Sequence, residues 1–299
     1  MSDEAGGDVS VVVVTWNAAP WIERCLASVG GHETIVVDHG STDGTVALVR
    51  GQFPAARVIE QANRGMGGGN NAGMRAANGR YAFLLNSDAW VEGDGIERLV
   101  AFADEHPDAA VVGPRLLNLD GSLQRSVRGD PTLWRLATEY FLLRKLAPRS
   151  RLFNAFYGGG FAHDETCEVE SLQAAALLVR REAADAVGLF DEDFFMFSEE
   201  TDWLYRFRRA GWKVVFFPAA QVTHVGGASH GGRLYVENLR GILRFFAKHR
   251  GAREAERARR LLLWALRLRA LVFRGERRRR YLEGARFLVS GDVRSLLDR

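Results

Sequence analysis

The sequence predicts an α/β protein with an open, mostly parallel sheet flanked by helices. Short apolar segments alternate with segments of helical spacing between Val9 and Val112. Neighbouring parallel strands need a long crossover, usually a helix, so this alternation is typical of a parallel sheet. Polar motifs directly follow several strands, and open α/β sheets bind ligands at the carboxyl ends of their strands. The same pattern therefore predicts a ligand site at one sheet edge.

Each element rests on a local pattern. Apolar, β-branched runs predict strands, and apolar residues three or four positions apart predict helices. In the first part the strands are 9–14, 34–37, 57–60, 81–85 and 110–112, and the helices are 21–29, 45–50, 72–77 and 96–105. In the second part the strands are 171–180 and 214–217. Helices are expected at 133–146, at 235–247 and beyond 254; one further helix starts at 181, and another follows the aromatic segment 194–197 and ends at 209.

Composition and charge limit the class of protein. Residues 251–299 contain 14 Arg and 6 acidic residues, a net charge of +8, whereas the whole chain carries +3, so the first 250 residues carry −5. Cys25 and Cys167 are the two cysteines, which excludes a disulfide framework or a zinc-binding spacing. The sequence shows no signal peptide and no apolar run of membrane-spanning length. We expect a cytoplasmic protein.

Two polar residues at strand ends suggest a cation site. Asp88 closes the motif Asn86-Ser-Asp88 after the strand 81–85, and His224 follows the strand 214–217 and precedes a glycine pair. A hard divalent cation prefers oxygen ligands and keeps water and substrate phosphates in its shell. We expect Asp88 to hold a divalent cation, Mg²⁺ or Mn²⁺, together with a diphosphate, and His224 to contact the same metal or a phosphate. Taken alone, each is more typical of a turn or of a structural histidine.

An acidic cluster follows the aromatic segment 194–197. Glu199, Glu200 and Asp202 begin a predicted helix. A carboxylate is suited to accept the proton of an attacking hydroxyl group, but acidic groups in a first turn also stabilise the helix dipole. Positions i, i+1 and i+3 do not share one helix face, so we expect one or two of these residues in a site and at least one in helix stabilisation.

The glycine-rich segment 63–71 is predicted to be a loop that precedes a helix. Backbone N–H groups at such a place suit a phosphate. The segment lacks the Gly-Lys-Ser/Thr of a P-loop and follows the third strand, unlike the dinucleotide-binding fingerprint. A flexible loop without a ligand is the simpler interpretation.

Together these motifs resemble the family 2 glycosyltransferases. The resemblance extends from about Val9 to about Arg250 and follows the order of the family's motifs. The matching segments are Val11-Val-Val-Val-Thr-Trp-Asn17, Val36-Val-Asp-His-Gly-Ser-Thr-Asp-Gly44, 63–73, Leu84-Leu-Asn-Ser-Asp88, 188–203, Arg206, Gly211-Trp212 and Val222-Thr-His224. Within the family the sequence is most similar to bacterial rhamnosyltransferases of cell-wall and O-antigen assembly.

The resemblance implies a GT-A catalytic domain at 1–232 and a basic helical extension at 233–299. The nucleotide-sugar half would be about 9–115 and the acceptor half about 116–232. It also implies a nucleotide-diphosphate sugar donor, dTDP-L-rhamnose or else a UDP-sugar, and an inverting single displacement. The acceptor would be a saccharide, polyprenyl-linked in cell-envelope polysaccharide synthesis.

The resemblance also implies a role for each matching residue. Asp38 would contact the pyrimidine, and Asp88 and His224 would bind the metal. Glu200 would be the catalytic base, and Glu199 and Asp202 would be the other acidic residues of the catalytic cluster. The implied nucleotide-binding residues are Thr15, Asn17, Asp38, Asp43, Arg64, Asn70 and Ser87. The implied acceptor-side residues are Gln173, Ala174, Ala175 and Trp203.

Three positions depart from the family pattern. Asn86 replaces the first Asp of the Asp-x-Asp motif and removes one charge. Glu200 replaces the usual Asp and reaches one methylene further. Ala174-Ala175 stands where the family often has Gly-Ala, which narrows the acceptor site. Asn86 and the altered acceptor strand leave open a second hypothesis, a non-catalytic nucleotide-sugar binder or scaffold.

Two further questions concern other classes and partners. A nucleotidyltransferase would need a glycine-rich phosphate loop after the first strand, and Thr15-Trp-Asn17 does not supply one. The basic amphipathic segment 252–288 suits an anionic membrane surface, and it equally suits packing on the core or in a homodimer. No reader motif accompanies it, which argues against nucleic acid.

Overall fold

A computed structural model describes residues 8–150, 152–154, 156, 158–226 and 234–290. Within these residues the chain forms two compact units. The sheet unit comprises 8–127, 163–193 and 199–226, and the helical unit comprises the described parts of 128–162, 194–198 and 234–290. The sequence-based boundary at 232/233 lies outside the described residues, and the structure groups 128–162 with the C-terminal helices.

The elements have the following bounds. The strands are β1 (Val9–Thr15), β2 (Glu33–Asp38), β3 (Arg57–Glu60), β4 (Tyr81–Asn86), β5 (Ala89–Glu92), β6 (Ala109–Leu117), β7 (Leu123–Gln124), β8 (Val127–Arg128), β9 (Cys167–Glu168), β10 (Ser171–Leu172), β11 (Ala176–Arg180) and β12 (Lys213–His224). The helices are α1 (Ile22–Ala27), α2 (Thr45–Gln52), α3 (Gly65–Ala76), α4 (Gly95–Glu105), α5 (Leu133–Tyr140), α6 (Arg181–Val187), α7 (Glu199–Arg209), α8 (Tyr235–Arg250), α9 (Ala252–Val272) and α10 (Gly275–Phe287), with a 3₁₀ turn at Leu143–Lys145.

The main sheet is mixed, and the half formed by β3, β2, β1 and β4 is parallel. Its strand order is β3-β2-β1-β4-β11-β6-β12-β5, with β7 beside β6 and β9 beside β12. The pairs β3–β2, β2–β1, β1–β4 and β6–β12 are parallel, whereas β11 is antiparallel to both of its neighbours. Every residue of β1 is buried, as expected for a strand covered on both faces. The predicted fold class is confirmed.

The glycine-rich segment forms a helix, so the prediction of a loop at 63–71 was wrong. Helix α3 begins at Gly65 and packs against β1. A Cβ atom at Gly69 would lie 2.6 Å from Cγ1 of Val14, and one at Gly73 would overlap Cγ1 of Val12. Because Gly69 and Gly73 have no side chain, α3 packs closely on β1. This contact outweighs the low helix propensity of glycine.

Three other boundaries differ from the predictions. The strand expected at 171–180 is divided into β10 and β11. The strand expected at 214–217 continues to His224, and its pairing with β6 shifts between Phe217 and Gln221, on either side of Pro218. Proline has no N–H for the ladder, which explains a bulge there. The helix expected at 133–146 ends at Tyr140, because Leu142 adopts a left-handed conformation with φ of 63°.

The helical unit has its own apolar core. Helix α9 contributes Ala255, Ala258, Leu262, Ala265 and Leu266, which recur at helical spacing and are buried. The Nε atom of Arg269 donates to the carbonyl oxygen of Tyr140 at 2.7 Å, and its Nη2 atom donates to that of Glu139 at 2.7 Å. These bonds satisfy carbonyl groups at the end of α5. Among the described helices, none combines the length and apolar character required to cross a bilayer.

Candidate active site

The polar motifs at the strand ends meet at one edge of the sheet. Thr15 at the end of β1 pairs with Asp38 at the end of β2, and Val14 pairs with Asn86 at the end of β4. Thr15 and Asp38 are both buried. Within the part of the chain that the structure describes, Oγ1 of Thr15 has no hydrogen-bond partner. A buried hydroxyl group without a protein partner is suited to bind a ligand.

The loop after β2 is ordered by short-range hydrogen bonds. Oδ2 of Asp38 accepts bonds from the backbone N–H groups of Gly40 and Ser41, both at 2.9 Å. Oδ1 of Asn17 accepts a bond from the N–H of Thr42 at 2.8 Å, with Asn17 itself at φ of 52°. Asp38 and Asn17, two of the predicted nucleotide-binding residues, thus form a hydrogen-bonded frame at this edge.

Asp43 joins this frame to the loop after β1. Its Oδ2 atom accepts a bond from the N–H of Ala19 at 2.9 Å, and its Oδ1 atom accepts one from the N–H of Thr45 at 3.1 Å. Burial alone raises the pKa of Asp43, but the hydrogen bonds from Thr45 and Ala19 outweigh it and lower that pKa. The Asp43 carboxylate is therefore stabilised as an anion.

Asp88 and His224 lie side by side, as the sequence predicted. The Nε2 atom of His224 is 3.4 Å from Oδ1 of Asp88 and 3.3 Å from Nδ2 of Asn86. All three residues follow or end strands, and Asp88 and His224 are buried. Main-chain bonding reinforces the contact, because the N–H of Val225 donates to the carbonyl oxygen of Asp88 at 3.0 Å.

Gln124 orients the imidazole ring of His224, and the sequence analysis missed it. The amide nitrogen of Gln124 donates to the carbonyl oxygen of His224 and to Oδ1 of Asn118, each at 3.0 Å. Its amide oxygen therefore faces Nδ1 of His224, 2.6 Å away. This network assigns the proton of a neutral ring to Nδ1 and leaves the lone pair of Nε2 directed toward Asp88.

This arrangement fits a divalent cation with two protein ligands. Oδ1 of Asp88 lies 3.4 Å from Nε2, so one cation can contact both atoms, and Nδ2 of Asn86, 3.3 Å from Nε2, is a donor to the same lone pair. Metal-binding histidines commonly donate their other N–H to an acceptor, as His224 does to Gln124. Residues 8–150, 152–154, 156, 158–226 and 234–290 contain no cluster of three or more His, Cys, Asp or Glu side chains around a common metal position. The remaining ligands would come from water and a diphosphate.

The acidic cluster begins α7. Glu199 is buried, and its Oε2 atom has no hydrogen-bond partner among the described residues. Burial and the neighbouring charge of Glu200 raise the pKa of Glu199 well above its ordinary value. The preceding residues Phe197 and Ser198 have φ of 68° and 69°, which is costly for residues other than glycine. Buried acid and backbone strain at one place are typical of functional sites.

Asp202 and Trp203 lie in the interior. Oδ2 of Asp202 accepts a bond from Nε of Arg206 at 2.9 Å, and the guanidinium group of Arg206 also donates to the carbonyl oxygens of Val187 and Leu189. The Trp203 ring is fully buried and packs against Phe190 in a tilted arrangement, with ring centroids 4.0 Å apart. The structure thus gives both residues contacts that position α7.

Residues of α3 contact the loop before α7. Nδ2 of Asn71 donates to Oε1 of Glu192 at 3.0 Å, and Arg64 forms an exposed ion pair with Oε2 of the same residue at 2.7 Å. The Asn71 hydrogen bond and the charges of Arg64 and Arg75 lower the pKa of Glu192. The predicted residue Asn70 is buried in α3. Exposed ion pairs contribute little stability, so the pair of Arg64 with Glu192 adds little to the folding free energy.

The acceptor-side segment lies against β4. The carbonyl oxygen of Ala175 accepts a bond from the N–H of Asn86 at 2.9 Å, and the N–H of Gln173 donates to the carbonyl oxygen of Ser126 at 2.9 Å. Ala175 is buried and Ala174 is half-buried, whereas Ser87 is buried in the turn after β4. The segment is therefore linked through one backbone bond to the turn that holds Asp88.

The mixed sheet and its flanking helices form a GT-A-type fold. TarS 1–349 of S. aureus superposes with a TM-score of 0.56 at 17% identity, covering 97% of this chain and 83% of that one. The mannosyltransferase PcManGT of Pyrobaculum calidifontis, in complex with GDP-Man and Mn²⁺, gives a TM-score of 0.56 at 16% identity, with 97% and 83% covered.

The chain belongs to the family named Glycosyl transferase family 2, whose sequence model matches residues 10–165. An N-acetylglucosaminyl-diphospho-decaprenol L-rhamnosyltransferase of Mycobacterium tuberculosis is 32% identical over 231 residues, which cover 72% of this chain and 75% of the relative. The family resemblance read from the motifs is thereby confirmed.

Proposed function

We propose that this glycosyltransferase transfers L-rhamnose from dTDP-L-rhamnose to a polyprenyl-linked saccharide in cell-envelope polysaccharide synthesis, with inversion and with Mg²⁺ or Mn²⁺. The observation that carries the substrate is the similarity to the mycobacterial rhamnosyltransferase, which acts on a diphospho-decaprenol-linked N-acetylglucosaminyl group. The described geometry supports the chemistry, because nucleotide-side polar groups and the Asp88–His224 pair share one sheet edge.

In this proposal Asp88 and His224 hold the cation, and Gln124 keeps Nε2 of His224 available as a ligand. The bound cation would neutralise charge that develops on the departing diphosphate. Thr15, Asn17, Asp38, Asp43, Asn70 and Ser87 form the nucleotide side, and Arg64 contacts the base or a phosphate. A nucleotide with a diphosphate supplies the oxygen ligands that the protein pair lacks.

Glu200 accepts the proton of the acceptor hydroxyl group. The hydroxyl oxygen forms a bond to the anomeric carbon while the bond from that carbon to the diphosphate oxygen breaks, and the electron pair leaves with the diphosphate. Because attack and departure occur on opposite faces, the anomeric configuration inverts. Burial and the neighbouring charge of Glu200 raise the pKa of Glu199, which favours the neutral form of Glu199 beside the proposed base.

The acceptor side is assigned to Gln173, Ala174 and Ala175. Asp202 and Trp203, whose side chains are occupied inside the protein, position α7 in this assignment. The extra methylene of Glu200 extends its carboxylate toward a hydroxyl group that the bulkier Ala174 would hold further away.

The test is transfer by the purified protein with dTDP-L-rhamnose, UDP-sugars and GDP-sugars, using a GlcNAc-diphospho-lipid analogue as acceptor. We expect turnover with dTDP-L-rhamnose, inversion in the NMR spectrum of the product, and loss of turnover after chelation that Mn²⁺ restores. Turnover with a different nucleotide sugar would reject the rhamnose assignment. Binding of a donor without transfer to any acceptor would favour the non-catalytic binder.

A further inference from the structure

One face of α9 changes character along its length. Its exposed residues in the first half are Ala252, Arg253, Arg257 and Arg260. In the last two turns the exposed residues include Trp264, Leu268, Leu271 and Val272, with side chains 61%, 49%, 82% and 75% accessible. These four residues, the apolar stripe, follow one another at i, i+4, i+7 and i+8 and therefore lie on one helix face.

The core of the helical unit does not require this stripe. The opposite face of the same turns contributes Leu262, Ala265, Leu266 and Ala270, all of which are buried. Single exposed apolar residues are ordinary on a protein surface, but a contiguous helical stripe that includes tryptophan is typical of a contact surface.

Positive charge surrounds the apolar stripe. The guanidinium group of Arg267 lies 5.9 Å from the ring centroid of Trp264, and Arg277 lies 5.9 Å from that of Phe273. Arg274 and the run Arg277 to Arg280 are exposed directly after the stripe. The sequence contains no Asp or Glu between Glu256 and Glu276, and residues 253–290 hold 12 Arg against 4 Glu, a net charge of +8.

We propose that the apolar stripe and its arginines dock onto a bilayer that contains anionic lipids. Leucine and valine side chains enter the acyl boundary, tryptophan prefers the headgroup level, and arginine side chains extend to the phosphates. A second copy would bring a surface of the same charge against this one, and the two would repel. The first half of the helix differs, since Arg257 and Arg260 pair with Glu254 and Glu256.

This inference rests on the proposed function in one respect, because a polyprenyl-linked acceptor is held in a membrane and docking there would bring the enzyme close to it. Docking itself does not depend on the sugar, the nucleotide or the metal. The two proposals can therefore fail separately.

The test is sedimentation of the full chain with POPC vesicles that contain POPG at about 30%, and with pure POPC vesicles. We expect binding to the anionic vesicles, about tenfold weaker binding to pure POPC, and release by salt. Leu271→Ser/Val272→Ser should lower the partition coefficient about tenfold. Leu119→Ser is the matched control, because Leu119 is 58% exposed in the sheet unit, and it should bind like the unchanged protein.

A second pair of variants tests the charge. Arg277→Gln/Arg279→Gln should reduce binding to POPG vesicles, whereas Arg253→Gln/Arg257→Gln, at the other end of the α9 face, should reduce it less. Circular dichroism and thermal unfolding should show that these exposed substitutions leave the fold intact. Equal binding by Leu271→Ser/Val272→Ser and the unchanged protein would overturn the proposal.

Light scattering separates the membrane from a protein partner. If the unchanged protein dimerises, Leu271→Ser/Val272→Ser makes it monomeric, and neither binds vesicles, the stripe is a dimer interface and our inference is wrong. Transfer to a short, water-soluble acceptor should be the same for all stripe variants. Vesicle binding without any transfer would leave docking in place and reject the proposed function.

Discussion

Two regions of the sheet unit carry carboxylates, and their surroundings differ. At the strand ends, Asp38, Asp43 and the Asp88–His224 pair are held by backbone N–H groups and by Gln124. At the start of α7, Glu199 is buried beside Glu200, and the backbone before it is strained. In our proposal the first region binds the nucleotide diphosphate and a cation. In the second, burial and the adjacent charge of Glu200 disfavour the ionised form of Glu199, and perturbed acids of this kind are typical of sites of proton transfer.

The largest effect should come from Glu200→Gln, which removes the proton acceptor from the second region. We expect kcat to fall about 10²–10⁴-fold, while the dissociation constant of the donor changes little. Glu97→Gln is the control, because Glu97 lies in the first turn of α4 and is exposed. Single-turnover kinetics and donor binding by calorimetry measure the two quantities. An unchanged kcat would show that the acidic cluster only stabilises the helix.

Asp88→Asn tests the first region. We expect kcat to fall by about 10²-fold or more, because the variant removes the only negative charge next to Nε2 of His224 among the described residues. Mn²⁺ binding followed by electron paramagnetic resonance should be lost in the presence of dTDP. Normal Mn²⁺ binding by this variant would place the cation elsewhere.

Gln124→Leu should have a smaller effect that acts through His224. Loss of the acceptor at Nδ1 allows the other tautomer, and Mn²⁺ affinity should fall about 10–100-fold. The ¹⁵N shifts of the His224 ring report the tautomer directly. If Gln124 had only a structural role, its replacement would leave the tautomer unchanged. Gln221→Leu, on the exposed side of β12, is the control. An unchanged tautomer in Gln124→Leu would contradict the positioning role.

The smallest effect concerns stability. The pKa of Glu199 is raised in the folded state above its ordinary value near 4.5. The neutral form of Glu199 therefore contributes its full stabilisation when the pH is below that ordinary value. That stability is lost as pH rises through the folded pKa. Glu199→Gln cannot ionise, so its Tm should rise relative to the unchanged protein over this interval, by roughly 2–4 °C for each kcal/mol. A difference in Tm that is constant with pH would refute the assignment.

Local sequence patterns predicted the structural features that depend on residues close together in the chain. The apolar runs before Thr15, Asp38 and Asn86 identified strands, and parallel pairing then required their ends to meet. The acidic start of α7 was visible for the same reason.

Long-range partners were not predictable in this way. Gln124 lies 100 residues from His224, and nothing around it distinguishes a positioning glutamine from a surface one. The glycines of α3 have low helix propensity, and only the contact with Val12 and Val14 shows why a helix forms. The grouping of 128–162 with the C-terminal helices likewise depends on tertiary contacts.

The position of β12 has a consequence for biosynthesis. This strand lies between β6 and β5, although at least 95 residues of chain separate its first residue from the end of β6. A ribosome therefore completes β1 to β6 before His224 leaves the exit tunnel. Until β12 inserts between β6 and β5, a nascent chain lacks the contact between Asp88 and His224.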